Sequence, residues 1–290
     1  MALELYATGL GIRRIAASLN LARTSVANWL RVAGVMRTKK EAMGIRLGQN
    51  HLRWGRLTPE RAWLVGLIYG DGGITKTGGK VSLTCENADL DILVKVQNIL
   101  GIGGKIAQRP GCRRIDICSV KFVAMLKDVY GLDSDKCAHL RWPAMPERFL
   151  PHFIRGLLDS DGAWYCRTGR QSEQIVFSYC SISCEFVESL ASHVCAYVDL
   201  VPRVPRISKT RSNQLIDGRI VNSRAQAILA FSHLDAVALG QWLYANSTDG
   251  MRGERKFEFW RQHAMAPVKA QWVLRHERHK QKLRAVQVSL

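Results

Sequence analysis

The nine residues Leu64-Val65-Gly66-Leu67-Ile68-Tyr69-Gly70-Asp71-Gly72 occur a second time, without a gap, as Ile154-Arg155-Gly156-Leu157-Leu158-Asp159-Ser160-Asp161-Gly162. Each copy reads as a short apolar helix that ends in an acid and a glycine. Small residues stand four apart on one face, Gly66 and Gly70 in the first copy and Gly156 and Ser160 in the second. Helices ordinarily pack about 8–10 Å apart, and small residues on a shared face permit closer approach. If the two helices pack by these faces, their C-terminal ends meet and Asp71 and Asp161 lie side by side. That pairing is unfavourable as mere structure, because like charges repel and each acid sits at the negative end of a helix dipole. One acid must then hold a proton, or a divalent cation must neutralise both. A cation held by two carboxylates, with positions left for water and a phosphate oxygen, suits phosphodiester hydrolysis. The bland reading, two unrelated helices each ending in an Asp-Gly turn, accounts for one copy but not for two matched ones.

The surrounding sequence repeats as well. Thr58-Pro59-Glu60 starts the first core helix with a capping hydroxyl, a proline suited to the first turn and a dipole-favoured acid. Lys80–Cys85 alternates as a half-buried strand, and Asp89–Leu100 is an apolar helix. Lys105–Arg109 and Arg113–Cys118 form a hairpin through Pro110-Gly111, and Lys121–Tyr130 is a further helix. In the second half Pro151–Asp161, Gln174–Tyr179, Ser183–Val198 and Leu234–Tyr244 follow the same order. Val201–Ser208 and Gly218–Ala225 read as its second strand pair, with loops at Tyr165–Glu173 and Lys209–Asp217. The fold class expected is α+β, a duplicated αββαββα unit with a pseudo-twofold axis, whose sheets form one concave saddle for a duplex.

The paired motifs resemble those of LAGLIDADG homing endonucleases in the single-chain, two-repeat form, over roughly residues 58–262. The resemblance implies that the eighth motif position, Asp71 and Asp161, supplies the catalytic, metal-binding carboxylates, with Gly70 and Ser160 beside them in the metal site. The first copy departs at the sixth position, where Tyr69 replaces the acid kept as Asp159. A lysine in a Lys…Pro stretch before the second motif is associated with the active site in that family. Here it is Lys136, ahead of Arg141-Trp142-Pro143, and its symmetric partner is Lys256. The resemblance further implies a Mg²⁺-dependent double-strand break in a long, asymmetric DNA target, with staggered cuts leaving 3′ overhangs. It implies a role in the mobility of an intron or other selfish element, and a monomer. Mn²⁺ or Ca²⁺ could replace Mg²⁺ for binding. Two other readings of such a fold are a catalytically silent transcription regulator and an RNA-binding intron maturase.

Composition agrees with a polyanionic partner, since 42 Lys and Arg against 24 Asp and Glu leave a net charge of +18. Residues 1–36 read as three short helices, the last studded with polar side chains. This looks like a helix-turn-helix whose Arg23, Ser25, Asn28 and Arg31 face DNA, while Val26, Trp29 and Leu30 are buried. Residues 37–57 read as a basic linker along the phosphate backbone, with Lys39, Lys40 and Arg53 as contacts. The repeats are placed at 58–146 and 147–262, and a basic helical tail at 263–290. On the sheets, Lys80, Ser82 and Thr84 share one face, Lys105 and Arg109 share another, and Arg114 and Asp116 lie nearby. In the second repeat Arg203, Arg206, Lys209, Arg211, Asn213, Gln214 and Arg219 are the candidate DNA contacts.

The eight cysteines include no CxxC pair, so no zinc site is expected and free thiols in a reducing compartment are. No stretch of 18 apolar residues is present and the N-terminus lacks a signal-peptide pattern, so no membrane association is expected. Intein splicing residues are not expected either, the chain opening on helices and closing Val288-Ser289-Leu290. The localisation expected is intracellular, in cytoplasm or nucleoid, with an organelle also compatible.

Overall fold

The structure, a computed structural model, describes residues 1–38, 41–42, 54–102, 105–168, 173–209, 211–216 and 219–264. Lys39, Lys40, Arg53 and the tail beyond residue 264 lie outside the described residues. Two compact units are present, Met1–Trp54 and Gly55–Leu290.

The first unit holds α1 (Ala2–Ala7), α2 (Ile12–Ser18) and α3 (Arg23–Val32). Tyr6, Ile15, Ala16, Val26 and Leu30 form its core, with Leu5, Leu10, Ile12 and Leu19 packed around them. Asn20 makes the turn before α3 at φ 51°, a left-handed conformation that asparagine tolerates. Arg37 lies over the Tyr6 ring, 3.9 Å from its centre, and its backbone N–H donates to the Tyr6 hydroxyl at 3.0 Å. Trp29, expected in the core, is instead 49% exposed. It stands one residue before Leu30, and Val26 and Leu30 alone complete the inward stripe of this short helix.

The second unit is built from two copies of one pattern. The first comprises α4 (Pro59–Asp71), β1 (Gly72–Ile74), β2 (Lys80–Glu86), α5 (Leu90–Leu100), β3 (Ala107–Arg109), β4 (Cys112–Cys118) and α6 (Val120–Tyr130). A short helix, α7 (Lys136–His139), follows. The second comprises α8 (Leu150–Asp161), β5 (Ala163–Thr168), β6 (Glu173–Ser181), α9 (Cys184–Val198), β7 (Arg206–Ile207), β8 (Arg211–Ile216), β9 (Arg219–Ser223), β10 (Ala227–Ser232) and α10 (Leu234–Tyr244). Helix α11 (Glu254–Ala264) comes last of the described elements.

The sheet orders correspond, β1-β2-β4-β3 and β5-β6-β10-β7, with antiparallel pairing throughout. The duplicated αββαββα unit expected from the sequence is therefore present. Three strand assignments differ. The motif helices run directly into β1 and β5, so the stretch from Tyr165, expected as a loop, begins as strand. The outer pair of the second sheet is β7 with β10, not a strand at 218–225. Residues 211–223 instead make a separate two-stranded ribbon, β8 with β9, inserted between β7 and β10.

Sequence signals account for the element ends. Thr58 Oγ1 accepts from Arg61 N at 3.3 Å and Pro59 occupies the first turn of α4. Helices α5 and α6 end on Gly101 and Gly131 at φ 62° and 68°, where glycine avoids the Cβ penalty. On one face of the sheets, Val81, Leu83, Ile115 and Ile117 in the first repeat and Ile175, Phe177, Tyr179, Leu229 and Phe231 in the second are buried against helices.

Each repeat also lays a strap on the other. After α6, Trp142 stacks on His193 of α9 with ring centres 4.2 Å apart, and Ser183 Oγ donates to Leu140 O at 2.9 Å. After α10, the strap and the start of α11 rest on α5 and the turn before it through charge. Lys95 Nζ donates to Glu254 Oε1 at 2.9 Å and to Arg252 O at 2.7 Å. Arg255 grips Asp89 with two bonds, of 2.7 and 2.6 Å. Among the described residues no helix is long and apolar enough to cross a membrane.

Candidate active site

Helices α4 and α8 meet backbone to backbone. A Cβ added to Gly66 would lie 2.0 Å from Phe153 O, and one added to Gly156 would lie 1.9 Å from Trp63 O. A Cβ on Gly70 would sit 2.0 Å from Ser160 Oγ and 3.0 Å from Asp161 Oδ2. The small-residue face predicted from the sequence is thus the contact surface, and it sets the two helix ends together.

Asp71 and Asp161 both reach solvent at those ends, yet protein surrounds most of each carboxylate. Burial first, and then the Asp161 charge, push Asp71 up to about 7, against the pull of Lys256 and Lys136. Asp161 is also raised, by burial, with the same two lysines opposing. Both acids are therefore held above the usual carboxylate range even with two lysines nearby.

The lysines singled out by the sequence occupy symmetric places. Lys136 Nζ donates to Ile68 O, Tyr69 O and Gly70 O at 2.6, 2.5 and 2.6 Å. Lys256 Nζ donates to Leu158 O, Asp159 O and Ser160 O at 3.0, 2.7 and 3.0 Å. Each ammonium has three protons, and each spends them on the fifth, sixth and seventh motif carbonyls of its own repeat. The two cations thus neutralise the negative ends of α4 and α8 beneath the acids. Both are buried, and burial lowers the Lys256 ammonium from its ordinary value.

The sixth motif position ties the site down differently in the two halves. Asp159, buried, accepts from Trp63 Nε1 at 2.8 Å and from Gly253 N at 2.9 Å, both at Oδ2. Burial pushes it up to about 6 despite those bonds. Tyr69 donates its hydroxyl to Tyr130 O at 2.6 Å and packs edge-on against Phe153, 5.0 Å away. Ser160 Oγ donates back to Leu157 O at 2.8 Å, and the Ser160 carbonyl accepts from Lys256 Nζ.

Three features of the site have no counterpart among the residues expected from the sequence. Arg155, 1% exposed, donates from Nε to Met251 O at 2.6 Å and also to Leu243 O, which fixes the strap after α10 against α8. Burial brings it down to about 10. Asp89, buried and gripped by Arg255, adds a third negative charge near Asp71. A cleft of about 700 Å³ opens beside Asp71, lined from both repeats by Thr84, Asp89, Trp164, Arg255 and Lys256. Asp89 has no sequence signal beyond its place before a helix, and Arg155 stands where the first copy has Val65.

Among the described residues no three His, Cys, Asp or Glu side chains converge on a metal position. The donor set is the two carboxylates, since the Gly70 and Ser160 carbonyls nearby already accept from Lys136 and Lys256, and it is all oxygen. It fits a hard divalent cation that keeps most of its coordination for water and substrate, as Mg²⁺ does, and does not fit zinc.

Strand register sorts the predicted sheet contacts. Ser82 pairs with Asp116, Thr84 with Arg114, Ala107 with Arg114 and Arg109 with Cys112. Lys80, Ser82, Thr84, Arg109, Arg114 and Asp116 therefore share one face, the one turned away from the buried Val81, Leu83, Ile115 and Ile117. Arg109 is thus on the same face as Lys80, contrary to expectation, because β3 pairs with β4 in a register that carries it there. Lys105 lies just before β3, exposed. In the second repeat Arg206 pairs with Ile228, which pairs with Cys180, so all three share the corresponding face. Arg167 and Tyr165 of β5 belong there too; their polar surroundings in the sequence point to a loop and hide them. Arg203 forms an ion pair with the buried Asp235, and Lys209 is exposed. Arg211, Asn213, Gln214 and Arg219 lie on the β8–β9 ribbon, with side chains outside the described part. In the first unit, Arg23, Ser25, Asn28 and Arg31 all lie on α3; Arg23 and Arg31 are exposed. Arg31 Nη1 donates to Asn28 Oδ1 at 2.9 Å.

No family model and no curated protein matches the chain. Among solved structures it is similar to LAGLIDADG homing endonucleases. One is I-SmaMI bound to cleaved DNA, with a TM-score of 0.44 and 14% identity over 80% of this chain and 96% of that one. Others are I-CpaMI bound to uncleaved DNA (0.45, 13%, 81% and 99%) and I-GzeII in complex with its DNA target (0.43, 11%, 72% and 90%). At these values the likeness is one of fold.

Proposed function

We propose that the chain is a site-specific homing endonuclease that makes a metal-dependent double-strand break in a long, asymmetric DNA target and so promotes the mobility of an intron or other selfish element. The observation that carries this reading is the acid pair. The helix contact is so close that only small residues fit it, and it brings two carboxylates, both held above the usual carboxylate range, to one pair of solvent-reaching helix ends where a cation can be held between them.

The chain's own residues have separable tasks. Asp71 and Asp161 would hold the ion, one carboxylate coming from each repeat. Lys136 and Lys256 offset the helix dipoles and favour ionised acids. The open faces of the two sheets, with Lys80, Thr84, Arg109 and Arg114 on one and Arg167 and Arg206 on the other, meet the duplex, the buried Ser82 bracing Arg114 from beneath, and the net charge of +18 draws it in. A divalent cation bound at the acids supplies Lewis acidity at the scissile phosphate and lowers the pKa of water. Because both repeats stand in one chain, a monomer completes the site and the target need not be palindromic. Helix α3 reads as a second DNA-contacting element through Arg23, Asn28 and Arg31. The place of action is intracellular, where DNA is.

The test is cleavage of a randomised duplex library in Mg²⁺ by the full chain and by Asp71→Asn and Asp161→Asn. Cutting at one long asymmetric site, lost in both variants while binding persists, is the expected result. Tight specific binding with no cleavage in Mg²⁺ or Mn²⁺ would instead make the chain a regulator. Preference for RNA over DNA at matched salt would make it a splicing cofactor.

A further inference from the structure

On the inner strands, equivalent positions of the two sheets carry opposite chemistry, while at the edge strand the second sheet has Arg206 where the first has Ala107. The registers align Gly73–Ser82–Asp116 across the first sheet with Ala163–Ser178–Ala230 across the second, and Thr84–Arg114–Ala107 with Cys180–Ile228–Arg206. These are the rows next to the acids, since Gly73 and Ala163 each follow the motif aspartate by two residues.

In the first sheet the row is a braced arginine. Arg114 Nε donates to Asp116 Oδ1 at 2.8 Å and Nη2 donates to Ser82 Oγ at 2.6 Å. Ser82 Oγ in turn donates to Asp116 Oδ1 at 2.7 Å, and Lys80 Nζ closes the cluster on Oδ2 at 3.2 Å. Burial alone would raise Asp116, but the bonds from Arg114, Ser82 and Lys80 outweigh it and hold the carboxyl down at about 2. Of the five guanidinium protons, two are committed to Asp116 and Ser82. The three left are the two on Nη1 and one on Nη2, a fork fixed in direction before any partner arrives. Such a fork matches the O6 and N7 acceptors of guanine. In the second sheet the same two positions are Ile228, half-buried, and Ala230, exposed, beside an exposed Cys180. The side chains at 228 and 230 offer no hydrogen bond, only methyl and methylene surface, and the base edge that rewards such contact is the thymine methyl.

Resting on the duplex-DNA reading above, we infer that the two halves of the target are distinguished next to the centre by a guanine read through Arg114, with Asp116 as its positioning residue, and by a thymine read through Ile228 and Ala230. The asymmetry of the site is built at symmetric positions of the fold. Selectivity in the first half depends on a side chain, Asp116, that does not itself touch the base.

The experiment is enrichment of bound duplexes from a randomised library by the full chain with no divalent metal, which separates base reading from cleavage. Wild type should enrich guanine at one position of one half-site and thymine at the symmetric position of the other. Arg114→Ala should reduce the guanine preference by about tenfold or more at that position only. Asp116→Asn should weaken the same preference while leaving the salt dependence of overall affinity unchanged, which a general loss of fold would not do. Ile228→Arg combined with Ala230→Asp should move a guanine preference into the second half, and Ile228→Arg alone should do so less well. If Arg114→Ala lowers affinity evenly across sequences, Arg114 is a phosphate contact and the inference falls. If enrichment is strong but unaltered by all of these variants, it falls alone and the nuclease reading stands. If enrichment follows this pattern but Mg²⁺ gives no cleavage, the nuclease reading falls and the inference stands.

Discussion

The Trp63 indole of the first repeat donates to the Asp159 carboxylate of the second across 2.8 Å, and this bond has no mirror image. At the symmetric place Tyr69 turns instead to Tyr130 O within its own repeat. The otherwise matched halves are therefore joined by a one-sided polar bridge at the crossing of α4 and α8. Trp63→Phe should leave Asp159 with only the Gly253 N–H and cost about 1–3 kcal/mol, as loss of a bond to a buried charged group does. Urea unfolding at pH 7.5 measures it, and a change below about 0.5 kcal/mol would show that the bridge is incidental.

The helix contact predicts a sharp contrast among glycines. Gly66→Ala and Gly156→Ala place a methyl within about 2 Å of a backbone carbonyl that cannot step aside. Each should destabilise by about 3 kcal/mol or more and abolish cleavage by parting the acids. Gly79→Ala, where a Cβ meets open space, should be neutral or slightly stabilising. Thermal melts of the three variants decide it.

Lys256→Met should raise the Asp71 carboxyl above its metal-free value of about 7, because the lysine charge is one of the two that hold it down. It should also strip three carbonyls of their donor. Cleavage should drop by about a hundredfold and its pH profile should move alkaline. Lys256→Arg should not restore it, since a planar guanidinium cannot place three protons on three successive carbonyls. Carboxyl titration by NMR on Asp-labelled protein reads the first effect and a cleavage profile the second.

His152 predicts an acid-sensitive fold. Its Nδ1 accepts from Arg155 Nη2 at 2.7 Å, and burial, then the Arg155 charge, bring the imidazole down to about 4, with Glu60 pulling the other way. The folded value lies below the unfolded value of about 6.5, so the unfolded chain takes the proton first. Stability from this group is complete above about pH 6.5 and is lost as the pH falls toward 4, by at most about 1.4 kcal/mol per pH unit. His152→Gln should flatten that limb of the stability curve in urea titrations run at about pH 7.5, 6.0 and 5.0.

The two straps should respond differently to salt. Arg255→Ala strands the buried Asp89 and should cost about 1–3 kcal/mol, most of it at low ionic strength. Trp142→Ala, which removes the stack on His193, should cost about as much at any salt concentration. Guanidinium and urea midpoints compared for both variants test this, since only the former screens charge.

What the sequence disclosed was what repeats. The motif helices, their contact face, the acid pair and both lysines were legible because each has a partner roughly a hundred residues on that raises it above chance. Strands β1 and β5 were not, because three residues beginning Gly72-Gly73 carry no alternation and Ala163–Thr168 runs into polar residues that blur its end. Strand β10 was displaced because the inserted β8–β9 ribbon looks more like a strand pair than the short β7 does. Trp29 was misplaced because a ten-residue helix needs only two inward residues to close a small core. Asp116 passed as a neighbour of its arginine, since only register shows that Ser82, Arg114 and Lys80 converge on it. The lysines were expected at the active site, and their protons go to helix-end carbonyls, which no sequence pattern discloses.

The glycine contact between α4 and α8 also separates two kinds of inheritance. Side chains on the open faces of the sheets take no part in that contact, so drift there leaves the spacing of Asp71 and Asp161 unchanged. Drift at Gly66 or Gly156 has no such freedom. On the nuclease reading proposed above, a lineage of such chains would be free to wander across targets while its cutting geometry stays fixed, and an engineer would follow the same route by leaving two glycines alone.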